Sequence, residues 1–361
     1  MKKIFILLMA VLPIVLTAQT KDPVRLGIAG LTHGHVGGLL RVMDNPAFEI
    51  VGIAESNQEL ARRLSERYKF SMDLVYPSLE EMVSATRPEA VAAFNSTYEH
   101  LMVVETCAPR GIDVMVEKPL AVNMDHANKM KALVDKHKTQ LITNYETTWY
   151  PTNHKAYTMV NEGKIGEIRK VVIHDGHEGP REINVSNEFF EWLTDPKLNG
   201  GGAITDFGCY GANLITWLMK GEKPVAVTAM THTNKPEIYP KVDDEATIVL
   251  QYPKAQAIIQ ASWNWPYSRK DMEVYGQTGA IFSDNGKDLR YRYTGVSEGS
   301  ETLEPRPYPY NNPYTFFSAV VRGEVILEPF ALSSLENNMI VVEILESARK
   351  SAQEAKVIRF K

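Results

Sequence analysis

Between residues 24 and 142, short β-rich runs alternate with stretches of helical period, and this alternation constrains the fold more than any other feature. The runs 24–29, 49–54, 90–94, 113–116 and 139–142 are rich in Val, Ile, Leu and Ala, while 58–69, 97–110 and 124–137 place apolar residues three and four positions apart. Strands separated by amphipathic helices form βαβ units, and their sheet is parallel with both faces covered. The expected fold class is therefore α/β, with an N-terminal Rossmann doubly wound parallel sheet over 22–147. The order changes after Pro151. A helix at 153–162, a strand at 167–174 and a helix from about 202 to 219 precede strand-like runs at 225–231, 246–252, 257–263, 271–275 and 280–283. Few helices separate those runs, so 148–361 is expected to be an α+β domain with a large, mostly antiparallel sheet. A helix at 332–355 is expected to reach back toward the first domain, before a short strand at 357–360.

A chain of 361 residues exceeds what one core usually supports, which agrees with two domains. Its first residues combine Lys2 and Lys3, an apolar run over 4–16 and a small residue at Ala18. This pattern reads as a signal peptide over 1–18 with cleavage after Ala18, so the chain is expected to be exported, in the periplasm. The run is too short for a membrane span, and Pro13 interrupts it. A formal net charge of −5 leaves no basic footprint for nucleic acid. Cys107 and Cys209 sit in separate apolar stretches and read as two buried thiols.

The first strand runs directly into Gly30, Leu31, Thr32, His33, Gly34 and His35, followed by Gly37 and Gly38. A glycine-rich strand-to-helix turn lets the backbone approach a pyrophosphate, and the next helix N-terminus favours its charge. Thr32 and His35 stand where a strict G-x-G-x-x-G would have glycine. Glu55 ends the second strand at the spacing of an acid that accepts hydrogen bonds from the adenosine ribose. A carboxylate there repels a 2′-phosphate, so the expected cofactor is NAD in preference to NADP. His33 and His35 form an H-x-H pair, but without an adjacent Asp, Cys or third His no metal is expected.

The run Val116-Glu117-Lys118-Pro119-Leu120 resembles the Gfo/Idh/MocA family, the glucose–fructose oxidoreductase and inositol dehydrogenase group. Further matches follow in order. Asn95 and His100 resemble its A-T-P-N-x-x-H loop, and Asn144 through Trp149 to Pro151 matches its G-x-x-x-R-[FW]-x-P element loosely. Gly163 to Ile168 resembles G-x-I-G-x-I, and Gly200 to Gly208 resembles G-G-G-x-x-x-D-x-G. The resemblance implies that Asn95, His100, Glu117, Lys118 and Asn144 border the dinucleotide. It also implies that Lys118 is an acid/base group, Asp206 a residue that orients substrate, and Tyr210 the partner of the lysine, as in the glucose–fructose oxidoreductase and dihydrodiol dehydrogenase branches. Many members carry His where this chain has Tyr210. A homo-oligomer through the open face of the second sheet is a further implication.

Oxidising a carbinol needs a hydride acceptor and a base for the hydroxyl proton. Lys118 lies at the carboxyl end of a parallel strand, where such sheets bind ligands. Because a free lysine is a poor base near pKa 10.4, burial or a neighbouring cation is expected to lower its pKa. Trp149, His177, Arg181 and Asp195 offer the polar and aromatic mixture that suits a carbohydrate. The expected function is NAD-dependent oxidation of a CH–OH in a sugar or sugar derivative. Export disfavours release of reduced cofactor, so the NAD is expected to be retained. The first alternative is NAD-dependent, redox-assisted glycoside hydrolysis, and the second is a non-catalytic sugar- or cofactor-binding protein.

Overall fold

The computed structural model describes residues 22–360, so the signal-peptide expectation for 1–18 lies outside the described residues. Strands β1 (Val24–Ala29), β2 (Phe48–Ala54), β3 (Val75–Tyr76), β4 (Ala90–Ala93), β5 (Asp113–Glu117) and β6 (Leu141–Asn144) form one sheet. Its order is β3-β2-β1-β4-β5-β6, and every pairing is parallel. This is a doubly wound Rossmann sheet. The strand order reverses between β1 and β4, and ligands bind outside the carboxyl ends at such a switch point. Gly30 and Asn95 occupy those two ends.

The covering helices are α1 (Val36–Leu40), α2 (Gln58–Tyr68), α3 (Leu79–Thr86), α4 (His100–Cys107) and α5 (Met124–His137). Local chemistry marks their starts: Asn57, Ser78 and Asn123 each accept a backbone N–H in the first turn of α2, α3 and α5. β3, at two residues, is too short to read from sequence; α3 was not expected either, although it buries Leu79, Met82 and Val83 at helical spacing.

The second sheet contains β7 (Ile168–Gly176), β8 (Ala226–His232), β9 (Glu245–Gln251), β10 (Gln256–Ser262), β11 (Arg269–Gly276), β12 (Gly279–Ser283), β13 (Asp288–Tyr293), β14 (Gly299–Thr302) and β15 (Ile358–Arg359). Its order is β14-β13-β12-β11-β7-β10-β9-β8-β15. Among its described pairings only β7 and β10 are parallel; the chain leaves β7 through a run of helices to β8 and returns through β9 to β10. The helices here are α6 (Pro151–Asn161), α7 (Asn187–Leu193), α8 (Ala203–Asp206), α9 (Gly208–Leu218), α10 (Pro313–Val321) and α11 (Leu335–Glu354). The single helix expected from 202 to 219 is broken at Phe207 into α8 and α9.

Two helices tie the halves together. Tyr314, Phe316, Phe317 and Val320 of α10 belong to the core beneath β1 and β2, so 313–321, expected in the second domain, packs in the first. Helix α11 packs on α9 and β8 and also on α5 and β6. Its contact with α9 is a buried amide pair: Asn213 Nδ2 donates to Asn337 Oδ1 at 2.9 Å and to the Leu332 carbonyl at 2.8 Å. Asn337 Nδ2 in turn donates to the carbonyls of Asn213 and Phe330. Both residues are fully buried, so deleting one amide strands its partners without solvent. Asn337→Leu is expected to lower unfolding stability by about 2–4 kcal/mol in urea titration; a change below about 0.5 kcal/mol would show that the pair does not hold α11 in place.

Candidate functional site

At the end of β1, Gly30 has φ +80, and a Cβ there would lie 2.8 Å from Asn95 Cβ. Only glycine suits both the conformation and the approach of the β4 loop. The Gly30 N–H donates to the Ala54 carbonyl at 2.8 Å, and His33 N–H donates to the Phe94 carbonyl at 2.8 Å. The turn is thereby fastened to the ends of β2 and β4. Helix α1 has only five residues, so the dipole expected behind the turn is short.

Glu55 closes one side of this turn. Its carboxylate accepts the N–H groups of Leu31 and Asn57, both at 2.8 Å. Burial pushes its pKa up against those two hydrogen bonds. A cavity of about 400 Å³ opens here, bounded by Gly30, Thr32, Glu55, Ser78, Asn95 and Met102. Asn95 Oδ1 is buried without a protein hydrogen-bond partner. A glycine with no room for a side chain, an orphaned amide oxygen and a carboxylate at the strand end together fit a dinucleotide. His100 supports the other side of the loop through Nδ1 and the Leu120 carbonyl, 3.1 Å apart, and burial lowers its pKa to about 4.

Glu117 and Lys118, adjacent at the end of β5, have opposite neighbours. The Glu117 carboxylate lies 2.9 Å from His35 Nδ1 and accepts the Asn144 amide at 2.8 Å. Burial opposes its ionisation, but the His35 ring, its hydrogen bond, His33 and Asn144 outweigh burial and hold the pKa at about 2. Trp149 Nε1 donates to Asn144 Oδ1 at 3.0 Å, so this tryptophan braces the amide from behind. The fold thus brings Glu117 within reach of His33 and His35, and one ligand atom from each lies within 4.8 Å of the others. The sequence places no Asp, Cys or third His beside the H-x-H pair; the group the fold brings there is instead a glutamate, 82 residues from His35 along the chain.

Lys118 precedes a cis peptide bond to Pro119 and crosses to the second domain. Its Nζ pairs with the Asp206 carboxylate and donates to the Asp206 carbonyl at 3.1 Å. Burial acts to lower the lysine pKa, yet the Asp206 charge prevails and the pKa is raised. The expected lowering is therefore not what the resting protein shows, because the neighbour is a carboxylate and not a cation. Asp206 is held at its other oxygen by Trp263 Nε1 at 2.9 Å. Burial resists its ionisation, but Lys118 keeps its pKa below the usual value.

Tyr210, Phe207, His177 and Lys270 join Lys118 and Asp206 around a cleft of about 420 Å³ between the domains. Lys118 Nζ and Lys270 Nζ lie 5.2 and 4.9 Å from the Tyr210 ring centroid. Burial pushes the Tyr210 pKa well above its ordinary value. The Gly179 N–H donates to His177 Nδ1 at 2.9 Å, which leaves the neutral ring's proton on Nε2. Burial also lowers the His177 pKa.

Leu31, Thr32, His33 and His35 reach the same cleft from the glycine turn. Trp149, Arg181 and Asp195 do not line it. Arg181 is exposed, with its guanidinium 3.7 Å from the Phe190 ring centroid. Asp195 accepts the N–H groups of Lys197 and Leu198 and forms a turn. Lys270 lay in a strand of alternating charge with no motif around it, and only the pairing of β11 with β7 brings it to the cleft. Asp175, fully buried beside this cluster, has neither carboxyl oxygen partnered by protein, and burial drives its pKa well up.

The sequence pattern of the oxidoreductase family with an NAD-binding Rossmann fold matches residues 24–145, and the GFO/IDH/MocA C-terminal domain matches 153–282. The chain belongs to the Gfo/Idh/MocA family. Among similar proteins, trans-1,2-dihydrobenzene-1,2-diol dehydrogenase of Xenopus laevis is 26% identical over 218 residues, 59% of this chain and 61% of that enzyme. The chain therefore matches about three-fifths of that relative's length. D-Xylose 1-dehydrogenase [NADP(+)] of Haloarcula marismortui is 21% identical over 94% of both chains. The crystal structure of an inositol dehydrogenase homolog complexed with NAD+ from Azotobacter vinelandii superposes with a TM-score of 0.82 at 17% identity, covering 94% of this chain and 98% of that one. The first domain of this Gfo/Idh/MocA protein is an NAD(P)-binding Rossmann domain.

The depressed Glu117 pKa has a consequence for stability. A carboxylate that binds protons less readily folded than unfolded stabilises fully above its unfolded pKa, and that contribution fades as pH falls from about 4.5 toward about 2. In urea titrations the stability gap between wild type and Glu117→Gln is expected to be widest near neutral pH and to narrow across that window. A gap independent of pH would contradict the assignment of a buried Glu117 carboxylate.

Proposed function

We propose that the protein is an NAD-dependent oxidoreductase acting on a CH–OH group of a sugar or sugar derivative, with the cofactor retained through turnover. The observation that carries this reading is the Lys118–Asp206 pair: one partner from each domain, buried together beside Tyr210, in a cleft continuous with the glycine turn. Gly30, Leu31, Thr32, Glu55 and Asn95 would hold the dinucleotide, with Glu55 favouring an unphosphorylated ribose. The nicotinamide, when bound, supplies the hydride acceptor.

The remaining chemistry belongs to the chain. At rest, Asp206 keeps Lys118 protonated. A substrate hydroxyl that takes over the hydrogen bond from Asp206 weakens that hold, and burial, the largest single influence on Lys118, then favours the neutral amine, whose released proton leaves to solvent through the cleft before the hydroxyl proton is taken. Lys118 Nζ thus becomes the group that accepts the hydroxyl proton, and in the reverse direction it returns the proton to the carbonyl oxygen. Tyr210, a neutral phenol, donates to or accepts from the same substrate oxygen. His177, with its proton on Nε2, is a donor at the other side of the cleft. Dehydrogenase relatives named for xylose and dihydrodiols support a polyhydroxylated substrate.

A second reading, redox-assisted glycoside cleavage by the same residues, draws support from the cleft's outward extension. Leu60, Leu64, Ile183, Val185 and Phe189 flank the cleft and offer an apolar seat for an aglycone. Export of the chain, which we also propose from its N-terminus, would favour either reading over an enzyme that exchanges cofactor each turnover.

The test is to purify the protein from its native compartment, denature it, assay the released NAD(H), and screen the intact protein with free sugars and aryl glycosides. Lys118→Met is expected to lower turnover by about 100-fold or more while leaving NAD binding unchanged. Turnover that survives the substitution would remove Lys118 from the mechanism, and absence of both bound and bindable NAD would overturn both readings.

A further inference from the structure

We propose that a second cavity, separate from the cleft and lying where α6, α10 and the 325–333 segment meet, binds a small carboxylate with a ring-shaped body. The cavity encloses about 290 Å³, close to the lower end of the range for small-molecule pockets, about 300 Å³. Its walls are aromatic: Trp149, Tyr157, Trp217, Tyr310 and Phe316. Tyr157 stacks on Trp217 with centroids 4.1 Å apart, and Trp149 meets Phe316 edge-on at 5.3 Å. Such surfaces receive the flat face of an arene or the C–H face of a sugar ring.

Arg306 supplies the polar end. Its guanidinium lies over Tyr310, 4.6 Å from the ring centroid, and among the described residues it pairs with no carboxylate. Its NH1 lies 2.9 Å from His154 Nε2, and the same nitrogen lies 2.9 Å from the Thr148 carbonyl oxygen. A guanidinium only donates and a carbonyl only accepts, so one ring nitrogen satisfies one of them and leaves the other unmatched. Protonating the ring does not resolve this, since an imidazolium only donates and still offers the guanidinium no acceptor, and burial already holds the His154 pKa at about 4. A ligand carboxylate accepting from Arg306 does resolve it, with Nε2–H free to serve Thr148.

Thr148 and Ser333 also border the cavity, and each has a buried hydroxyl oxygen without a protein partner. Glu328 borders it too, but is exposed and forms no ion pair with Arg306, so the half-buried guanidinium is available to a ligand carboxylate. None of the lining residues lines the cleft. Trp149 is the nearest link, since its indole N–H holds Asn144, which in turn holds Glu117. The tryptophan expected at the substrate therefore faces a different ligand.

The test is calorimetric titration of the full protein with benzoate and with D-glucuronate, each beside an uncharged counterpart, benzyl alcohol and D-glucose. At least one acid is expected to bind saturably at one per chain and more tightly than its counterpart. Arg306→Gln is expected to weaken that binding about tenfold or more, Arg306→Lys to retain part of it, and Lys118→Met to leave it unchanged. Binding of benzoate alone would identify aryl acids as the ligand class, and of glucuronate alone, sugar acids. The proposal is overturned if neither acid binds, if Arg306→Gln binds as wild type does, or if Lys118→Met abolishes binding and so places the acid in the cleft.

Discussion

The buried pair of Lys118 and Asp206 is the contact on which the site depends. Neither charge is tolerable alone at that depth, since removing one partner from a buried pair leaves an uncompensated ion at a cost of about 3–5 kcal/mol. The partners come from different domains, Lys118 from the end of β5 and Asp206 from α8. The cleft between the domains is therefore bridged by a buried ion pair. The domains' relative placement is reinforced by α10, packed under the first sheet, and by α11, which touches both.

Two adjacent residues at the carboxyl end of β5 divide the electrostatic work. Glu117 turns toward the His33–His35 turn and is held ionised; Lys118 turns across the cleft and is held protonated. Glu117 is the last residue of β5 and Lys118 the first beyond it, so the two neighbours in sequence have unrelated partners. Trp149 and Trp263 then fix one member of each pair, through Asn144 for Glu117 and directly for Asp206. Lys118 is thus set between two opposed influences, burial and the Asp206 carboxylate.

Much of the architecture was legible in the sequence because its main signals are local. Parallel strands covered on both faces read as apolar runs, and β1, β2, β4 and β5 fall within a residue or two of the expected positions. β14 was missed because Gly299–Thr302 is a short run at the sheet edge with no core pattern, and β13 because Arg290 and Arg292 interrupt an alternation, Leu289, Tyr291 and Tyr293, that faces the core. α10 was missed because its apolar face serves the core of the other domain. Within the site, the motif residues Lys118, Asp206 and Tyr210 converge, as do Gly30, Glu55 and Asn95. Residues chosen only for loop composition, Arg181 and Asp195, satisfy local turns and stacking instead. Lys270, Asp175 and the approach of Glu117 to His33 depend on strand pairing and domain closure, which leave no mark at short range.

The account stands or falls on whether the dinucleotide joins the glycine turn to the Lys118–Asp206 pair. Electron density from crystals grown with NAD measures this most directly. The account predicts the adenosine end between Glu55 and Asn95 and the nicotinamide end in the cleft beside Lys118 and Tyr210. A dinucleotide bound elsewhere, or a nicotinamide end directed away from Lys118, would contradict it.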